Sequence, residues 1–325
     1  MGAEGPDDGA IREALAEATG SDPGPVRIRP IPGGASRQTF MVEAPADRWV
    51  LRRDPPGAQS FVGLEVEFGV ARAALRAGVP VPAPLHFEAE GGRFGSAGYL
   101  MDHVEGTSVG PRILHRDRYA AARGRLVAEL AAALARIHSI DDEGVAGIPR
   151  SGADPALAAC ELWESELDRV GEPLPAVEVG LRWLRLNRPS PVDRPTLVHG
   201  DFRLGNLIVD DDGLAAVIDW ELCHAGDPGE DVGWLCVRSW RFGNDDRPMA
   251  GLGARAEFID AYAAAGGGRL DPGRLVWWEA LGNVKWAVIC ARQAQDHLTG
   301  RRRDHELASL GRRICEPEWD LLEAL

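Results

Sequence analysis

The sequence predicts an α+β protein of two lobes, a small β-rich front and a larger α-rich back. Three observations carry this. Short runs rich in Val, Ile, Phe and Trp, separated by turn signals, fill the first third of the 325 residues. From about residue 105 the apolar residues recur at helical spacing instead. A Pro-rich link, NRPSPVDRP, then leads into LVHGDFRLGNLIVDDDGLAAVIDWE, whose polar residues sit at the ends of apolar runs.

The elements follow in order. MGAEGPDDGAIREALAEATG is acidic and Gly/Ala-rich, a loose lead-in and a short helix, with no apolar run long enough for a signal peptide. VRIRPI, QTFMVEA and RWVLRRD read as strands, punctuated by PGGAS and PAD. FVGLEVEFGVARAALRAGV reads as a helix with Leu64, Phe68, Ala71 and Leu75 on one face. PVPAP ends it, and LHFEAE and SAGYLMDHV complete a small antiparallel sheet. In RYAAARGRLVAELAAALARIHSI, Val127, Leu130, Leu134 and Ile137 form a single buried stripe. Helices are expected over 153–171 and 176–187, and four more follow the central motif. A cleft between the two lobes is the natural ligand site.

Composition narrows the function. A hydrophobic content of 45% and a charged content of 26% are those of a soluble globular protein. The most apolar stretch, LVWWEALGNVKWAVICA, is broken by Glu279, Asn283 and Lys285, so no membrane span is expected and the cytoplasm is the expected compartment. A net charge of −14 argues against nucleic acid or an anionic membrane as partner, and no obligate protein partner is indicated. Five cysteines, an odd number without a C-x-x-C pair, point to buried thiols rather than a disulfide framework or a zinc site. Lys285 is the sole lysine.

The central motif carries the chemistry. NLIV and LAAVID are short strands separated by DDDG, and Asp-Gly between apolar runs is a hairpin signal. With Asp212-Gly213 at the centre of the turn, Asn206 lies opposite Asp219; a four-residue loop shifts this pairing by only two positions, and either way the two meet at the open end, beside the loop carrying Asp201. An amide oxygen and a carboxylate converging there suit Mg²⁺, a hard cation that takes few protein ligands and completes its shell with water and phosphate. Asp201 is then placed to accept a proton from an attacking hydroxyl.

HGD-x-x-x-x-N, followed by a hairpin and I-D-W-E, resembles the aminoglycoside phosphotransferase family, a branch of the protein-kinase-like fold whose members phosphorylate small-molecule hydroxyls. The resemblance implies a small antiparallel-sheet N-lobe over 1–103 and a mostly helical C-lobe over 104–325. It implies Asp201 as catalytic base, Asn206 and Asp219 as magnesium ligands and His199 as a brace of the loop. GDPGEDVGWL matches the family's second motif, in which Asp231 supports the catalytic loop. The tripeptide HRD at 115–117 is a decoy, because Ala122 stands where an Asn is required. A two-metal phosphatase is not supported, since the extra His and Asp ligands are missing.

A kinase-like front lobe must also hold a nucleotide, ATP with GTP not excluded. PGGASRQTF fits the phosphate-covering loop, with Gly34 and Ser36 (and the Arg37 region) near phosphate oxygens. Arg52 in WVLRR occupies the place of the usual lysine, a feature shared with the branch that resembles the domain fused to acyl-CoA dehydrogenases. Its neighbour Arg53 is expected on the opposite strand face, solvated. Of the helix glutamates, Glu67 lies about 70° from the centre of the apolar stripe and Glu65 about 90°, which favours Glu67 as partner of Arg52. YLMDHVEG resembles the hinge, with adenine on the backbone near Asp102 to Val104 and Met101 behind it. The acceptor implied is a small-molecule hydroxyl, a hydroxyacyl compound before an aminoglycoside, and a noncatalytic pseudokinase is the rival class. Trp278 and Lys285, on one expected long helix, are candidates for an acceptor wall, although core packing is the stronger reading for the tryptophans.

Overall fold

The computed structural model describes residues 5–31, 37–55 and 61–325. Helix α1 (Asp8–Thr19) starts at Asp7, whose carboxylate accepts the Ala10 N–H and so satisfies one of the orphan donors of the first turn. Strands β1 (Arg27–Pro30), β2 (Gln38–Glu43) and β3 (Arg48–Arg53) precede helix α2 (Leu64–Arg76), and β4 (Pro84–Glu88) and β5 (Gly98–Asp102) follow it. The five strands form one antiparallel sheet in the order β1-β2-β3-β5-β4.

Period-two alternation assigns the faces of β3. Trp49 and Leu51 pack with Ile11, Ala14 and Leu15 of α1 and with Phe94. Arg53, on that same side, is buried rather than solvated. It donates to the Phe94 carbonyl and the Gln38 amide and lies 5.2 Å over the Phe40 ring. Arg52 is in register with Thr39 and Tyr99. Tyr99 in turn touches Phe68 of α2, so Arg52 faces the helix.

The buried face of α2 is turned from the expected stripe. Leu64, Glu67, Val70, Ala71 and Ala74 are buried, whereas Leu75 is 45% exposed. An apolar-periodicity count treats Glu67 as a surface residue. Its charge partners on the sheet make it a core one.

The remainder is mostly helical: α3 (Gly110–His115), α4 (Ala120–His138), α5 (Pro155–Val170), α6 (Pro175–Leu186), then four short strands β6 (Thr196–Val198), β7 (Leu207–Val209), β8 (Leu214–Val217) and β9 (His224–Gly226). Helices α7 (Gly229–Cys236), α8 (Arg255–Ala264), α9 (Pro272–Leu298), α10 (His305–Arg313) and α11 (Cys315–Ala324) complete the chain. The predicted α4 stripe is buried throughout, and each such side chain contributes roughly 1.5–3 kcal/mol of burial. It shares one apolar cluster with Val70 and Ala74 of α2 and with Leu197, Leu207 and Val217 beside the loop that follows β6. Helix α9 is the axis of the back lobe, packing against α5, α6, α7, α10 and α11. A Cβ at Gly233 would stand 2.5 Å from that of Trp278, so only glycine lets α7 lie this close to α9. None of the described helices is long and apolar enough to cross a membrane.

The central hairpin forms with a shifted register. Leu207 pairs with Val217 and Ile208 with Ala216, then a bulge brings Val209 opposite Leu214. The turn is four residues, closed by Asp210 N–H to the Gly213 carbonyl, while the Asp210 side chain accepts from Asp212 and Gly213. Asn206 therefore meets Ile218, whose N–H donates to its carbonyl at 3.0 Å, and Asp219 lies one residue beyond. The two-residue turn supposed from Asp-Gly is overridden by this Asp210-capped loop.

Candidate active site

The loop after β6 is held from beneath by a buried carboxylate. Asp231, near the start of α7, accepts the His199 N–H on Oδ2 and the Gly200 N–H on Oδ1, both at 2.8 Å. His138, the last residue of α4, adds Nε2 at 3.1 Å, and its Nδ1 meets the Tyr262 hydroxyl at 2.7 Å. Burial pushes the Asp231 carboxyl up, but the hydrogen bonds from His138 and from the His199 N–H outweigh it, so it is held below the usual carboxylate range. Gly200 adopts φ +78, and a Cβ there would stand 2.2 Å from the Leu222 carbonyl oxygen. Glycine is therefore required in the HGD tripeptide.

His199 braces two segments at once. Its Nδ1 accepts the Asp201 N–H at 3.2 Å, which leaves the proton on Nε2, donated to the Ile218 carbonyl at 3.0 Å. Burial lowers its pKa despite nearby Asp231, Asp201 and Asp219, so the ring is neutral. The loop and the end of β8 are thereby tied together, one residue before Asp219.

Asp201 is only 8% exposed and has three donors on its carboxylate. Oδ1 accepts from the Trp234 indole at 2.7 Å and Arg203 Nε at 3.1 Å. Oδ2 accepts from Asn206 Nδ2 at 2.6 Å, and the same amide nitrogen meets the Asp201 carbonyl at 2.9 Å. With the nitrogen so engaged, the Asn206 amide oxygen has no hydrogen-bond partner among the described residues, which suits a cation ligand.

Across the cleft, Arg52 joins the two lobes. Its Nε lies 3.3 Å from Glu67 Oε2, its Nη2 donates to Asp219 Oδ1, and Glu221 is 3.8 Å away. Burial opposes the charge on Arg52, but Asp219 and Glu67 more than offset it, and its pKa rises. Burial lifts Glu67 above its ordinary value despite Arg52 and Arg37, while Asp219, also pushed up by burial, is brought below it by Arg52. Asp219 itself has φ +72, an uncommon conformation for a non-glycine residue that turns its side chain into the cleft. Glu67, Asp219 and Glu221 each offer an oxygen within 4.8 Å of the others, and both Glu67 oxygens lack a hydrogen bond. An all-oxygen donor set of this kind fits a hard divalent cation, with Arg52 now the positive charge paired to Glu67 and Asp219.

The sequence pattern of the phosphotransferase enzyme family, that of the aminoglycoside phosphotransferases, matches residues 27–275. The chain belongs to this family. Acyl-CoA dehydrogenase family member 10 of Mus musculus is 32% identical over 227 residues, covering 66% of this chain and 20% of that protein. Family member 11 of Rattus norvegicus is 28% identical over 295 residues, covering 84% and 37%. The chain thus spans well under half the length of these curated relatives. A Ralstonia eutropha protein provisionally classed as an aminoglycoside phosphotransferase superposes with a TM-score of 0.77 at 23% identity, covering 98% of both chains. A spectinomycin phosphotransferase in complex with ADP and spectinomycin superposes at 0.64 and 13%, covering 98% and 99%. At such identities the likeness establishes the kinase-like two-lobed fold.

Against this family frame, Gly34 and Ser36 lie outside the described residues. Arg37 is held inside the front lobe. It is buried, 2.5 Å from Asp54 and from the Val62 carbonyl and 3.5 Å from Glu67. Met101 and Asp102 end β5, where Asp102 N–H is taken by the Ala83 carbonyl, and the Val104 N–H has no partner among the described residues. Burial raises the Asp102 carboxyl. The HRD decoy is peripheral, with Arg118 beside Asp211 on the exposed face of the β7–β8 turn. Four cysteines are buried and Cys315 is exposed.

Trp278 is in the back-lobe core with Trp277 and Leu281. Lys285 is 5% exposed, its ammonium donating to the Gly200 carbonyl. Both line a small niche with Trp163, Glu230 and Trp234, beside the catalytic loop. Five residues at this site escaped the sequence reading: His138, Arg203, Glu221, Trp234 and Tyr262. Glu221 and Trp234 stand inside the quoted motifs, so their polar atoms were legible as candidates. His138 and Tyr262 come from distant helices and carry no local signal.

Proposed function

We propose that the protein transfers the γ-phosphoryl group of ATP to a hydroxyl of a small molecule, with Asp201 as general base. The observation that carries this is the set of donors on Asp201. Two donors occupy Oδ1 and one occupies Oδ2, so Oδ2 keeps a lone pair for an incoming hydroxyl proton, next to the free oxygen of Asn206. Asn206 and Asp219 would hold magnesium, with Glu221 nearby. The ion, when bound, supplies charge neutralisation on phosphate oxygens. Arg52, kept charged by Glu67, would meet the phosphates, and the Val104 N–H would meet the adenine edge. His199 and Asp231 hold the loop that carries the base. Catalysis in this scheme is positioning and electrostatics, with no covalent intermediate on the protein.

For the acceptor, the names of the curated relatives favour a hydroxyacyl compound or its thioester over an aminoglycoside. The test is Mg²⁺-dependent ADP release from ATP across hydroxyacyl-CoAs, hydroxy acids, aminoglycosides, choline, homoserine and sugars, each compared with Asp201→Ala. Turnover confined to hydroxyacyl acceptors and abolished in the variant supports the proposal. Turnover with an aminoglycoside alone replaces the acceptor class. ATP binding without turnover on any acceptor makes the protein a nucleotide-binding pseudokinase.

A further inference from the structure

Asp201 is held by something its own loop does not supply. Three residues of the loop region (Arg203, Asn206 and His199) bond it directly. The fourth contact is the Trp234 indole N–H, from α7, at 2.7 Å on Oδ1. Trp234 is 2% exposed and is itself fixed from two sides. Its ring meets Trp240 edge to face at 5.1 Å, and Lys285 of α9 places its ammonium 4.5 Å from the ring centroid. The same ammonium donates to the carbonyl of Gly200, the residue immediately before the base. One cation therefore touches both the backbone that carries Asp201 and the ring that holds its carboxylate.

We infer that Lys285 and Trp234 form a positioning pair for the catalytic base, Lys285 acting on Asp201 through the indole and the Gly200 carbonyl rather than on the acceptor. The inference rests on Asp201 being that base. Four physical points favour it. A buried lysine without an anion is costly, and here Glu230 stands 3.9 Å away while Trp163 offers a second ring face at 5.7 Å, so the ammonium is retained in a packed site. The niche these groups line holds about 10 Å³, room for about one water molecule and too little for an acceptor. The close α7–α9 crossing at Gly233 and Trp278 brings the two helices near enough for Lys285 to reach Trp234. An indole N–H donor has one direction only, so with Oδ1 pinned the carboxylate cannot rotate and Oδ2 is the oxygen presented to the hydroxyl.

The test is made on the full chain by two independent readouts. In ¹⁵N-tryptophan-labelled protein the Trp234 indole cross-peak is assigned by its loss in Trp234→Phe. It should lie downfield of the other indoles, move upfield in Asp201→Ala, and shift or broaden in Lys285→Met, with Lys285→Arg restoring it in part. On whichever acceptor supports turnover, Trp234→Phe and Lys285→Met should each lower kcat by about tenfold or more, a charge-assisted bond's worth, with KM values unchanged. The double variant should fall well short of the product of the two losses. An indole peak indifferent to both Asp201→Ala and Lys285→Met overturns the pair, as does a rise in acceptor KM with kcat preserved, which would make Lys285 an acceptor ligand. Phosphoryl transfer surviving in Asp201→Ala would instead overturn the assignment of the base, and the indole shifts would still report whether the pair exists.

Discussion

Asp231→Asn should destabilise the protein far more than one lost charge on a surface would. The carboxylate is fully buried and accepts three hydrogen bonds, two from the backbone of the catalytic loop and one from His138. An asparagine carries one oxygen. If that oxygen serves His199 and His138, the side-chain NH₂ is set against the Gly200 N–H, donor to donor. The loss is one charge-assisted bond, about 1.5–3 kcal/mol, together with a buried donor left unsatisfied, about 1–3 kcal/mol. The sum of about 2.5–6 kcal/mol is a large share of the 5–15 kcal/mol that typically holds a domain folded. Urea unfolding at pH 7.5, followed by tryptophan fluorescence, should show the midpoint falling by about 1 M or more. Tyr262→Phe removes a neutral bond one step further out and should cost only about 1 kcal/mol. A variant Asp231→Asn whose midpoint stays within about 0.3 M of the parent, or one no worse than Tyr262→Phe, would refute the view that this carboxylate holds the loop.

Three further outcomes are expected. Arg52→Gln leaves Glu67 buried with only Arg37 at 3.5 Å, and breaking a buried pair in this way typically costs about 3–5 kcal/mol; thermal unfolding checks it, and an unshifted melting temperature would mean that the lobes do not depend on the bridge. Gly200→Ala must clear the Leu222 carbonyl at 2.2 Å in a backbone conformation that disfavours a Cβ, so the protein should be recovered poorly folded, which circular dichroism and gel filtration would reveal, whereas Gly124→Ala on α4, with open space around it, should behave as the parent. His199 is neutral when folded and its pKa is lowered, so the unfolded chain takes up its proton first as pH falls; stability should decline below about pH 6.5, with a slope of at most about 1.4 kcal/mol per pH unit for one proton, until the folded-state pKa is reached. His224 beside Glu230 is raised, so its contribution has the opposite sign: it is present at low pH and lost as pH rises through its folded value. Urea midpoints of His199→Asn and His224→Asn between pH 5 and 8 would separate the two.

Much of this arrangement was legible because local signals coincided. The β-rich front, the α4 stripe and the strands flanking DDDG each have the period of the element they form. What was misread shares one cause, the behaviour of polar groups once partnered. Glu67 was chosen correctly as the partner of Arg52, yet the stripe used to choose it was rotated, because a paired glutamate can be a core residue. Arg53 and Arg37 were read as solvent- or ligand-facing for the same reason; each has partners that only the tertiary fold supplies. The hairpin register slipped by one because Asp210 caps a four-residue turn. His138 was invisible as a site residue, since nothing in its neighbours says that α4 converges on the loop, whereas Trp234 stood inside a quoted motif that said nothing of its indole bond.

The departure from lysine at position 52 has a physical reading in this geometry. An ammonium is a point charge that satisfies one carboxylate well. A guanidinium presents donors on separate nitrogens in a fixed plane, and Arg52 uses Nε toward Glu67 and Nη2 toward Asp219 at the same time. The arginine therefore joins α2 to the segment after β8 across the cleft, whereas an ammonium in its place would have to divide a single centre between them. Any cation or phosphate that enters must compete with that bridge at Asp219, while the contact at Glu67 is made by a different nitrogen of the guanidinium. Replacing Arg52 with Lys should accordingly weaken the coupling between the lobes while leaving the Glu67 pair able to form. Nucleotide-dependent stabilisation of the two lobes is then the quantity that separates arginine from lysine at this site.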